Sequence, residues 1–72
     1  MLDMEAEAAD CRRRAAECGD KARTTPVASS QRLLLEMELH WLTLAREYEL
    51  AEKRRRLHVL EQFALTVEAA RY

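Results

Sequence analysis

Met4, Ala8, Cys11, Ala15, Cys18 and Ala22 follow one another at alternating steps of four and three residues. That spacing places all six on one line of an α-helix, the a and d positions of a helix-pair seam. The seam is narrow because its members are mostly Ala and Cys, so a second helix can approach closely. The same chain supplies that helix. Leu34, Met37, Trp41, Leu44, Tyr48 and Ala51 make a line of larger apolar residues further along. An antiparallel hairpin built on the two lines sets Ala22 beside Leu34, Ala15 beside Trp41 and Ala8 beside Tyr48.

The breaks in the chain support this reading. There is one Gly and one Pro in 72 residues, with 49% apolar and 35% charged residues. This is the composition of long helices within one small all-α domain, residues 1–72. A first helix is predicted over about residues 3–23, with Asp3 as its N-cap and Glu5 and Glu7 near the positive end of its dipole. Gly19 either ends it or lies inside it at a cost of about 1 kcal/mol against Ala. Continuation is the preferred reading, because Ala22 keeps the seam. Residues 23–26, Arg-Thr-Thr-Pro, form the turn; Thr25-Pro26 reads as an N-cap followed by a first-turn proline, and Ser29 or Ser30 could cap a later start. No Gly or Pro follows, so a second helix is predicted over about 26–70. It would be roughly 65 Å long, against about 30 Å for the first, which covers only half of it.

The long helix carries a second line, about 150° around from the first at 100° per residue. It consists of Leu35, Leu39, Leu42, Arg46, Glu49, Lys53, Leu57, Leu60, Ala64 and Val67. One hairpin cannot bury two nearly opposite faces, so this line marks a partner surface. It is close to self-complementary when reversed. With a two-fold axis near Glu49 and Leu50, Leu39 and Leu42 approach Leu60 and Leu57 of a second chain. Arg46 then approaches Glu49 or Lys53, and opposite charges near the axis would fix the register. The expected assembly is a homodimer with antiparallel long helices, a coiled-coil arrangement that becomes a four-helix bundle where both hairpins overlap. The rival is a third helix folding back after Arg54–Arg56, a stretch without a breaker.

Little in the chain points to chemistry. Glu36, His40 and Glu47 share a helix face, but the spacing is Glu-x-x-x-His rather than the Glu-x-x-His of di-iron bundles, so no metal site is assigned. His58 lies among arginines with no carboxylate cluster beside it. There is no Ser/His/Asp set, no Gly-rich phosphate loop and no CxxC pair. No catalytic, cofactor-binding or metal residue is therefore expected. Cys11 and Cys18 are seven residues apart, about 10 Å of helical rise. A disulfide needs Cα atoms within about 7 Å, so an intrahelical bond is excluded and the two read as small buried thiols, with an interchain disulfide or a reactive thiol as the alternative. Arg12–Arg14 and Lys53–Arg56 are short basic runs that wrap around their helices and read as solvated faces with salt bridges to Glu17, Glu47, Glu49 and Glu52. The net charge is −1, which gives no global attraction to nucleic acid or acidic lipid. No basic, apolar leader opens the sequence and no run reaches the ~18–20 apolar residues of a membrane span, so a cytoplasmic location is expected. Two function classes remain. The first is a non-enzymatic interaction or scaffolding module acting as a homo-oligomer. The alternative is a small nucleic-acid-associated regulator that uses its Arg clusters in a dimer.

The stretch Cys11-Arg12-Arg13-Arg14-Ala15-Ala16-Glu17-Cys18 is followed by Leu34-Leu35-Glu36-Met37 and by Trp41-Leu42-Thr43-Leu44-Ala45. Together they resemble a group of small helical-hairpin proteins of rhizobial and related α-proteobacteria. The resemblance covers about residues 10–52, with Cys11 in place of an aromatic residue and Glu38 in place of a small one. It implies a helical hairpin in a bacterial cytosolic setting, and it implies no activity.

Overall fold

The computed structural model describes residues 2–71, which form two α-helices joined by a three-residue link. Helix α1 spans Met4–Thr24 and helix α2 spans Ala28–Ala70. They pack antiparallel as a rod of 70 × 16 × 15 Å.

Asp3 starts α1 by accepting from the backbone N–H groups of Glu5 and Ala6, each at 3.1 Å. These are two of the donors that a helix start leaves without intrahelical partners. Gly19 lies inside α1 with an ordinary helical backbone. The link corrects the expectation for the start of α2. Thr25 is extended and closes α1, with its hydroxyl donating to the Lys21 carbonyl at 2.6 Å. A residue before proline is pushed out of the helical region, which accounts for the stop. The Thr25 hydroxyl thus serves the end of α1, and α2 begins two residues later than its Thr-Pro signal suggests. Val27 is its N-cap, with no side-chain cap bond.

The core is made of small side chains. Ala8, Cys11, Ala15, Cys18 and Ala22 of α1 are buried, and Met4 is half-buried at the open end. On α2 the line facing them is Leu34, Glu38, Trp41, Ala45, Tyr48 and Glu52. Ala45, at 0% exposure, is its most enclosed member. This corrects the predicted seam. Met37 is 42% exposed, while Leu44 and Ala51 are half-buried on the flank. Leu34, Trp41 and Tyr48 belong to both lines, so the true seam is the predicted one rotated by about 50°.

The rotation has two physical causes. Gly19 leaves a gap on α1 that the Glu38 side chain fills. A Cβ at position 19 would stand 3.2 Å from Glu38 Cδ and nearer still to its carboxylate oxygen. Ion pairs then hold the shared edge. Arg12 Nε donates to Glu49 at 2.9 Å, and Arg56 pairs with Glu5. On the opposite edge the Arg14 guanidinium sits 5.0 Å from the Trp41 ring centroid, a favourable cation–π placement.

Candidate functional site

Because α1 ends at Met4, α2 runs on alone. Every described residue from Lys53 to Arg71 is exposed. The bare segment, 57–70, is an overhang. It presents Leu57, Val59, Leu60, Phe63, Leu65 and Val67 to solvent, with Leu60 at 62% and Phe63 at 68% exposure.

The second line of α2 is exposed along its whole length, from Leu35, Leu39 and Leu42 through Arg46, Glu49 and Lys53 to Leu57, Leu60, Ala64 and Val67. The corrected seam brings it nearer to α1 than the sequence indicates. The two lines are separated by about 100° rather than about 150°, at 100° per residue. They are adjacent faces, so a helix laid on the second line also comes near the flank of α1. The line takes two four-residue steps in succession at Glu49, Lys53 and Leu57. Such an insertion unwinds a left-handed supercoil locally and favours straight helices there.

The charged middle of this line differs from expectation. Glu49 is already engaged by Arg12 of its own chain. Arg46 and Lys53 have no ion-pair partner within 4 Å among the described residues. Glu49 therefore does not offer the free negative charge that register-setting at the axis would use.

The arginine runs are largely spent within the hairpin. Arg13 pairs with Asp10 and with Glu17, the latter at 3.0 Å, and Arg14 Nε donates to Asp10 at 3.0 Å. Arg55 binds Glu52 through two hydrogen bonds, at 3.0 and 2.7 Å, and Arg56 adds a third at 3.2 Å. Glu52 is only 9% exposed, the one buried charged residue among those described. The Arg55 hydrogen bond above all, with Arg56 behind it, holds its carboxyl below the ordinary value of 4.5. Asp10 is lowered in the same way by hydrogen bonds from Arg13 and then Arg14. Glu17, Glu49 and Glu52 are partners that the sequence indicates, while Glu47 has no ion pair among the described residues. Asp10 is the partner not read from the sequence, although its i, i+3 and i, i+4 spacing to Arg13 and Arg14 announces it.

Cys11 and Cys18 are free and buried. His40 packs edge-on to Trp41 with ring centroids 6.0 Å apart. Among the described residues no three His, Cys, Asp or Glu side chains stand close enough to share a metal ion, Glu36, His40 and Glu47 included. No described helix is long and apolar enough to cross a membrane. The prominent surface feature is thus apolar and lies on α2. No protein-family model matches the chain, and no curated protein or solved structure is similar to it.

Proposed function

We propose that this protein is a non-enzymatic helical interaction module that works as a homodimer, its long helices antiparallel and joined along the second line of α2. One observation carries the reading. Among the described residues the buried apolar side chains are all Ala or Cys, while most large apolar residues of α2, Leu35, Leu39, Leu57, Leu60 and Phe63 among them, stand in solvent. The accessible area is 6080 Å² for 8.4 kDa. A compact monomer of that mass would expose about 4,600 Å². The excess, roughly 1,500 Å² per chain, is more than the ~800 Å² that each partner of a standard-size stable interface takes out of water.

A second copy is the partner that the line itself fits. About an axis between Glu49 and Leu50, residue i meets residue 99 − i. This pairs Leu42 with Leu57, Leu39 with Leu60 and Leu35 with Ala64. The axis also falls at the middle of α2, so the two long helices overlap from end to end.

Light scattering on the eluting protein at micromolar concentration tests this. The mass expected is that of two chains. The variant Leu57→Glu with Leu60→Glu should elute as a helical monomer, since charge buried without a partner is costly. A wild-type monomer, or a double variant of unchanged mass, would remove the reading.

A further inference from the structure

We infer that the overhang of each chain docks into the groove between α1 and α2 of a second copy, so that each end of the dimer is a three-helix bundle. This rests on the self-association proposed above and adds a second contact to it, between the overhang and the partner's α1.

The width of the apolar face carries the inference. Along the paired half of α2, the seam line is covered by α1 while the second line is bare. Beyond the level of Met4 the seam line continues as Val59, Phe63, Thr66 and Ala70, all exposed. The second line continues beside it as Leu57, Leu60, Ala64 and Val67. Two apolar lines about 100° apart on one helix suit two neighbouring helices, whereas a simple helix pair needs one narrow seam.

The groove is in the right place to receive this face. With residue i opposite 99 − i, Leu60 lies over Leu39 and Ala64 over Leu35, and Phe63 comes level with Glu36. The α1 residues at that height are those around Gly19, which packs against Glu38. The α1 flank there holds Ala16, exposed and small enough to leave room for a phenyl ring, with Arg23 beyond, while Gly19 itself is covered by Glu38. A shallow depression of about 420 Å³ lined by Arg32, Leu35, Glu36 and Leu39 lies on α2 alone, along the second line on its side away from α1. Charge agrees with the same register. Arg32 and Glu68 both lie on the outer edge of the second line, come level across the axis, and have no ion-pair partner among the described residues.

Phe63 separates this arrangement from a simple pairing of long helices. In the simple pairing it stays in solvent; in the three-helix end it touches α1 of the second copy. Phe63→Ser should raise the dimer dissociation constant at least tenfold, read by sedimentation equilibrium, with helical content unchanged because the residue is exposed within its own hairpin. A photoreactive p-benzoylphenylalanine at position 63 should cross-link to residues 16–23. Within one chain those residues lie roughly 37 Å away along α2, so such a link must join two copies. An unchanged dissociation constant for Phe63→Ser, or links confined to α2, would overturn the three-helix end. If Leu57→Glu with Leu60→Glu is still monomeric in that case, the long-helix dimer survives. If that double variant also stays dimeric, both readings fall.

Discussion

A glycine inside a helix lowers its stability by about 1 kcal/mol against alanine. Gly19 carries that penalty within the working half of α1, and the group that occupies the missing Cβ position is the end of the flexible Glu38 side chain. A carboxylate at the rim of the seam can swing into water where a packed methyl could not. Gly19→Ala should therefore stabilise the hairpin, by about 0.5–1 kcal/mol once the displacement of Glu38 is subtracted. The measurement is thermal unfolding in the Leu57→Glu, Leu60→Glu background, where self-association does not contribute. A rise in Tm of a few degrees is expected, and a fall would mean that Glu38 is held against Gly19. The same pair shows what the sequence hides. Apolar spacing offers α2 two phases that share Leu34, Trp41 and Tyr48, and hydrophobicity favours the one with Met37. The structure takes the one with Glu38, a residue that can bury its stem in the seam while the end of its side chain lies over Gly19 and remains free to move. Residue type reports the transfer free energy of a side chain, not the shape of the hole opposite it.

At the level of the elements, the two helices and the turn between them were readable because periodicity and one Thr-Pro break dominate the chain. The start of α2 was not, since a Thr hydroxyl serves either the helix before it or the helix after it, and here the Lys21 carbonyl takes it. The open end of the hairpin is held by charge more than by burial. Glu52 receives Arg55 and Arg56, and Arg56 reaches across to Glu5 on α1. The pH dependence follows from the carboxyl groups lowered by such bridges. A carboxyl whose folded value lies below its unfolded value adds stability that is fully present above the unfolded value. That stability is lost as pH falls through the folded one. For Glu52 the loss begins under the ordinary 4.5, and for Asp10 under 3.8. Thermal melts should therefore hold steady from neutral pH down to about pH 5 and drop below about pH 4. Glu52→Gln should melt lower than wild type at neutral pH and show a smaller acid drop. An acid drop of unchanged size in that variant would assign the effect to other carboxylates.

For the whole molecule, the question is what holds two copies in one register, and salt answers it. About the axis between Glu49 and Leu50, Arg46 of one chain faces Lys53 of the other, and Glu49 already belongs to Arg12. The centre of the proposed interface thus gathers Arg12, Arg46 and Lys53 against a single Glu49 from each chain, a positive excess flanked by leucines on either side. Association is driven by the leucines and opposed by this charge. Raising ionic strength screens the repulsion and leaves the apolar contacts in place. The dimer dissociation constant should accordingly fall several-fold between about 50 mM and about 500 mM NaCl. The nucleic-acid alternative has the opposite sign, because binding to phosphates weakens steeply as counterion release loses its advantage. The arginines of that reading are also mostly committed to Asp10, Glu17, Glu49 and Glu52 within the hairpin. Self-association that weakens with added salt would show that opposite charges meet at the axis after all. The register that pairs Leu39 with Leu60 would then have to shift until Arg46 and Lys53 lie over carboxylates.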